Sequence, residues 1–198
     1  SDIYTVFGSR DLTPELVAIP AAATLITSMF LHGGWMHLFG NMLFLWIFGD
    51  NIEDAMGHVR FLGFYLACGI AGALTHAVIN ADSVVPMVGA SGALSGVLGA
   101  YLVLHPKAKI LVLVFYFPIR LPAFIVLGVW IGMQVLNAWG ATGANAGGVA
   151  RWAHIGGFAA GVALIFPMRR QGVALFDRGG PLTLQVVTRR LGGARRGR

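Results

Sequence analysis

Two polar residues far apart in the chain stand in apolar, glycine-rich stretches, and together they could catalyse acyl transfer. Ser91 lies in "MVGASGALSGVLGA" (residues 87–100), and His154 lies in "AHIGGFAAG" (residues 153–161). A serine hydroxyl is a poor nucleophile until a base takes its proton, and histidine is the usual base. We therefore predict a catalytic dyad with Ser91 as nucleophile and His154 as base. Taken alone, Ser91 is better explained by helix packing and His154 by an interhelical hydrogen bond, so the prediction depends on the two side chains meeting.

Further polar residues could stabilise the oxyanion of such a reaction. His37 and Asn41 are four residues apart, which puts them on one face of a helix. The tetrahedral intermediate of acyl transfer needs hydrogen-bond donors aimed at its oxyanion. We assign this role to His37, Asn41 and the backbone N–H of Ser91. No acidic third member is predicted, since Asp82 falls in a loop and a carboxylate buried in lipid would be costly.

The sequence offers no convincing metal site. His32 and His37 are five residues apart and have no carboxylate or thiol nearby, which is poor spacing for metal ligands. We therefore predict that the protein uses no metal and no cofactor.

Glycines beside the two candidate catalytic residues could bring their helices together. Pairs of glycines four residues apart occur next to Ser91 and next to His154. This small-xxx-small spacing lets helix backbones approach closely in a membrane, as a short serine side chain requires. The predicted helix-packing glycines are Gly89, Gly92, Gly96, Gly157 and Gly161.

Composition predicts the elements that must position these residues. Of the 198 residues, 57% are hydrophobic and only 11% are charged, well below the charged fraction of a soluble domain. Long charge-free runs have the length that helical spans need, because backbone polar groups must be satisfied within lipid. We predict an all-α polytopic membrane helix bundle, with Leu16–Leu31 lying in the interface rather than forming a sixth span. The predicted spans are residues 36–54, 60–80, 85–104, 121–139 and 151–168.

Charge distribution predicts the orientation of the chain. The net charge is +6, and eight of the fourteen basic residues follow Met168. The positive-inside rule then puts this tail in the cytoplasm, and no nucleic-acid-binding pattern accompanies the charge. The N-terminal ends of the spans near 36, 85 and 151 consequently share the outer leaflet, where their polar residues can converge. The predicted organisation is an outer-side loop and interfacial segment (1–35), a transmembrane core (36–168) and a basic cytoplasmic tail (169–198).

Several stretches resemble the rhomboid intramembrane serine proteases of prokaryotic type. The matching segments are "HGGWMHLFGNMLFLWIFGDNIEDAMGHVRFLGFYL" (32–66), "GASGALSGVLGAY" (89–101), "FPIRLPA" (117–123) and "AHIGGFAAG" (153–161), in family order. By this resemblance Ser91 is the nucleophile, His154 the base, and His37 and Asn41 the oxyanion donors. The family core also has a helix ahead of the five spans visible here, so that first helix is expected to be missing from this chain. Ser95 occupies a position where many members carry an aromatic that stacks on the catalytic histidine.

The resemblance implies hydrolysis of a peptide bond in or beside a transmembrane segment. The partners would be the lipid bilayer and single-span or polytopic membrane-protein substrates, in a prokaryotic cell membrane. The span at 121–139 and the loop at 141–148 would act as gate and cap. The alternative is a non-catalytic rhomboid-like protein that holds or escorts transmembrane partners, possibly in a larger membrane assembly. A transporter is disfavoured, because no carboxylate is expected in the membrane interior and no internal repeat is found.

Overall fold

The computed structural model describes residues 20–81, 87–114, 116–140 and 150–177. The elements are α1 (Ala21–Thr27), α2 (Trp35–Phe44), α3 (Asp50–Met56), α4 (His58–Ile79), α5 (Ser91–Leu104), β1 (Lys109–Val114), β2 (Phe117–Pro122), α6 (Ala123–Gly140) and α7 (Arg151–Met168). A 3₁₀ turn at Ser28–Phe30 follows α1. A π-helical turn at Leu45–Gly49 joins α2 to α3, so one helical run extends from Trp35 to Met56.

Four of the five predicted spans coincide with helical segments to within a few residues. The remaining predicted span, 85–104, becomes helical only at Ser91. Gly89 has a φ of 115°, a left-handed conformation that a side chain would strain, so the helix cannot extend through it. Of the predicted interfacial segment, residues 20–31 are described and include α1. Residues 16–19, the loop at 141–148 and the tail beyond 177 lie outside the described residues.

Helix α5 is the centre of the bundle. Twelve of its fourteen residues are buried, which is possible because α4 and α7 pack along it and the α2–α3 run covers another side. Helices α5 and α7 run in parallel at very close range. A Cβ atom built on Gly157 would overlap the carbonyl oxygen of Gly92, and one built on Gly161 would overlap that of Gly96. The two backbones are therefore in direct contact along the end of the bundle that carries Ser91.

Replacing Gly161 with alanine should destabilise this contact. The added methyl group meets backbone rather than a movable side chain, so we expect the free energy of unfolding to fall by about 1–3 kcal/mol, as for other overpacked sites. The matched control is Gly128→Ala in α6, where a Cβ meets nothing within 4 Å. That variant should be neutral or more stable by up to about 1 kcal/mol, since alanine favours helix. Thermal unfolding in detergent measures both, and equal midpoints would contradict the packing argument.

A β-hairpin, which the sequence did not lead us to expect, connects α5 to α6. Strands β1 and β2 pair antiparallel, with Lys109 opposite Pro122 and Val114 opposite Phe117. Its base is tied to the bundle, because Ala123 donates a backbone hydrogen bond to Ala108. The hairpin lies at the end of the bundle opposite Ser91, so it leaves the candidate site open.

Residues 169–177, which begin the predicted basic tail, fold back against the bundle. The backbone N–H of Arg170 donates to the carbonyl of Ala55 at 2.8 Å, and that of Asp177 donates to Leu104 at 2.8 Å. The last carbonyls of a helix have no intrahelical partner. This segment therefore caps the C-terminal ends of α3 and α5.

The outside of the bundle is apolar. Trp46, Val59, Val78 and Leu136 are each at least 74% exposed, a pattern that in a water-soluble monomer would be costly. Among the described helices, α4 is the one that is both long and apolar enough to cross a bilayer by itself.

Candidate active site

The N-terminal ends of α2, α5 and α7 meet at one end of the bundle, and Ser91 and His154 touch there. The Oγ of Ser91 lies 2.8 Å from the Nε2 of His154, although 63 residues separate them in the chain. Ser91 is the first residue of α5, and His154 lies in the first turn of α7. The close approach of the two helices brings these short side chains within hydrogen-bond distance. A hydroxyl bonded in this way to an imidazole is the pair through which a serine becomes nucleophilic.

The two side chains predicted as oxyanion donors converge on the turn that precedes Ser91. A Cβ atom built on Gly89 would lie 2.8 Å from the Nε2 of His37 and 3.6 Å from the Nδ2 of Asn41. We predicted a helix-packing role for Gly89, but it stands before the helix and allows these side chains to approach the backbone. The Gly89 N–H donates to the carbonyl of Ser28 at 2.9 Å, which anchors the turn to the segment after α1.

The donors at this turn are available to a ligand. Nδ1 of His37 accepts a hydrogen bond from the backbone N–H of Gly33 at 3.4 Å, so its Nε2, which faces Gly89, carries the proton. The Nδ2 of Asn41 is buried and has no hydrogen-bond partner within the described part of the chain. The N–H of Ser91 opens a helix, where backbone donors have no intrahelical acceptor and the helix dipole is positive. A buried donor without a partner is unusual unless it serves a ligand.

Helix α6 supplies two contacts to His154 that were not predicted from the sequence. The Oε1 of Gln134 lies 3.0 Å from the Nδ1 of His154, and the Trp130 ring is centred 5.9 Å from the imidazole. The sequence does indicate such a contact, because Gln134 is a polar residue inside a charge-free apolar span. Ser95, one turn after Ser91, donates to the carbonyl of Ser91 at 2.6 Å.

The described residues contain no group of three or more His, Cys, Asp or Glu side chains placed to hold a metal. His32 lies beside His37, with ring centres 5.2 Å apart in an edge-on arrangement. The contact between Ser91 and His154 allows proton transfer, and Gln134 adds a hydrogen bond to the imidazole.

Comparison with known proteins identifies the family. Residues 21–171 match the family model described as the Rhomboid domain. The chain belongs to the rhomboid family. Rhomboids are integral membrane proteins, so the apolar surface faces lipid and the helices form a membrane bundle. The predicted resemblance and the predicted helical membrane fold are both confirmed.

Relatives come from several lineages. This rhomboid is similar to Rhomboid protein 1, mitochondrial, of Saccharomyces cerevisiae, at 36% identity over 154 residues, covering 73% of this chain and 41% of that protein. It is similar to the rhomboid protease GluP of Bacillus subtilis, at 39% identity, covering 52% of this chain and 19% of the relative. RHOMBOID-like protein 6, mitochondrial, of Arabidopsis thaliana is 44% identical, covering 39% of this chain and 25% of the relative. The chain thus spans less than half of each relative, and its prokaryotic location stays a prediction.

Proposed function

We propose that this rhomboid is an intramembrane serine endopeptidase, which hydrolyses a peptide bond in or beside a transmembrane segment of a membrane-protein substrate. The observation that carries the proposal is the 2.8 Å contact between the Oγ of Ser91 and the Nε2 of His154. The similarity to the rhomboid protease GluP supports the same reaction class.

The first half of the reaction forms an acyl-enzyme. His154 Nε2 takes the hydroxyl proton of Ser91 as the Oγ attacks the scissile carbonyl carbon, and the carbonyl π electrons move to oxygen. The resulting oxyanion accepts hydrogen bonds from the side chains of His37 and Asn41 and from the backbone N–H of Ser91. The intermediate then collapses, the C–N bond breaks, and the leaving amine takes the proton from His154. An ester between Ser91 and the N-terminal part of the substrate remains.

The second half releases that ester by hydrolysis. His154 takes a proton from water as the water oxygen attacks the ester carbonyl, and the same donors hold the new oxyanion. Collapse breaks the C–Oγ bond and returns the proton to Ser91, so the enzyme is regenerated and a carboxylic acid leaves. Every group except the transient imidazolium and oxyanion is neutral, which suits a site surrounded by lipid.

The class of substrate is limited by the need for the Oγ of Ser91 to reach a peptide carbonyl carbon. A carbonyl inside a regular helix is already hydrogen-bonded and screened by side chains, so the cut segment must unwind before attack. In agreement with the family resemblance, we propose that substrates have transmembrane segments weakened by helix-destabilising residues, and the resemblance also implies a small residue before the cut. We also propose, from the positive-inside rule, that the basic C-terminal tail is cytoplasmic and the site opens to the other side.

Labelling by a fluorophosphonate probe tests the proposal. The wild-type protein in detergent should be labelled covalently, and Ser91→Ala should abolish labelling because the attacked oxygen is gone. Ser95→Ala, one turn further along α5, is the matched control and should retain labelling, since that hydroxyl is bonded to a carbonyl. Unlabelled wild-type protein, or equal labelling of wild type and Ser91→Ala, would overturn the proposal in favour of a non-catalytic escort of transmembrane partners.

A further inference from the structure

We propose that Gln134 is a positioning residue that holds the imidazole of His154 in the tautomer that a general base requires. This inference rests on the proposed protease function, and it adds a third side chain, contributed by α6, to the Ser91–His154 pair.

The contacts of His154 determine which of its two ring nitrogens carries the hydrogen. If His154 Nε2 is to accept the proton of Ser91 at 2.8 Å, that nitrogen must be unprotonated, and the neutral ring carries its hydrogen on Nδ1. The Nδ1–H then needs an acceptor, because an unpaired donor inside the bundle is costly. The Oε1 of Gln134 lies 3.0 Å from Nδ1 and accepts it. The same bond supports the imidazolium that forms after proton transfer.

Helix α6 carries the polar side chain of Gln134 between residues whose side chains face lipid. Met133 and Leu136 are 54% and 74% exposed, so the glutamine amide is turned towards α7 rather than outward. A polar amide within a membrane helix is expensive unless it is paired. An amide does this work without the net charge of a carboxylate, whose burial in lipid would cost more.

Trp130 adds a second constraint from the same helix. It stands one turn before Gln134, and its ring is tilted 36° to the imidazole at a centre-to-centre distance of 5.9 Å. Gln134 thus holds the ring in its plane while Trp130 covers its face.

The test compares two substitutions at position 134. Gln134→Met keeps the length of the side chain but offers no oxygen, so we expect kcat to fall about tenfold with KM unchanged, the value of one net hydrogen bond. Gln134→Glu retains an oxygen acceptor, protonated or not, and should recover most of kcat. Met133→Leu, on the exposed side of α6, is the matched control and should match wild type. Thermal unfolding checks that each variant is folded, and Gln134→Leu replaces Gln134→Met if the latter is not.

A second measurement reads the tautomer directly. In ¹⁵N-histidine NMR spectra, assigned with His154→Ala, the wild-type ring should be in the Nδ1–H form. In Gln134→Met it should become a mixture of the two neutral forms, a change that a merely structural role would not produce.

Unchanged kcat in folded Gln134→Met, or an unchanged tautomer, would overturn the inference and leave the proposed function intact. An inactive wild type would instead overturn the proposed function, and the NMR comparison would still decide the positioning role.

Discussion

Replacing His154 with alanine is expected to lower kcat by about 10⁴-fold to 10⁶-fold, the range seen when a serine hydrolase loses its general base. The imidazole is the group within hydrogen-bond reach of the Ser91 hydroxyl, at 2.8 Å, so the serine would have to attack with its proton unremoved. The residual rate would come from substrate binding and the oxyanion donors. The measurement is cleavage of a transmembrane substrate in detergent or vesicles.

The two halves of the dyad should act as one unit. We expect the double variant Ser91→Ala, His154→Ala to be no slower than the worse single variant, because each substitution already removes the same step. The matched control is His58→Ala, a histidine whose side chain is 90% exposed and pairs with Glu53 at the opposite end of the bundle. It should keep wild-type turnover. A His154→Ala variant that retained more than about 1% of wild-type kcat would contradict the role of His154 as the base.

Asn41→Ala and His37→Ala should each lower kcat by about 100-fold, corresponding to roughly 3 kcal/mol for one oxyanion donor. Before substrate binds, the Asn41 amide is already buried without a partner among the described residues. The His37 Nε2 faces the same turn, at Gly89. Donors arranged before the reaction begins need little reorganisation when the charge forms. Because this charge is present in the transition state and not in bound substrate, KM should change little.

Steady-state kinetics with one transmembrane substrate separates these effects. Asn51→Ala is the control for Asn41→Ala, since its amide lies on the same helical run and bonds to the carbonyl of Ile47, away from the site. A rise in KM at constant kcat would show that His37 and Asn41 bind substrate rather than the oxyanion. Unchanged kinetics in both variants would remove them from the reaction altogether.

The pairing of Ser91 with His154 could be predicted from the sequence because polar residues are rare in lipid-embedded helices. When most positions are apolar, each serine, histidine or asparagine inside a span needs an explanation, and the alternation of consecutive spans places the N-terminal ends of every second span at one end of the bundle. The positions of α4, α6 and α7 were predictable for the same reason. Their boundaries depend on local composition rather than on packing.

The parts that could not be predicted depend on backbone conformation and helix rotation. The left-handed φ of Gly89 shortens α5 and puts a glycine expected inside a helix into a turn on which the side chains of His37 and Asn41 converge. The contact between Gln134 and His154 requires α6 to be rotated about its own axis so that one polar residue faces α7. Only the packed bundle determines that rotation. The residues between the predicted spans 85–104 and 121–139 were expected to form a loop, although the alternation of exposed and half-buried residues in β1 suits a hairpin.

The order of the dyad along the chain has a consequence for biosynthesis. Ser91 is translated 63 residues before His154, and at about 5–20 residues per second this delay is about 3–13 s. During that interval the nascent polypeptide holds a hydroxyl with no partner to deprotonate it. Under the proposed function, a newly made molecule is therefore inert towards the unfolded helices around the insertion machinery until the helix that carries His154 has entered the bilayer.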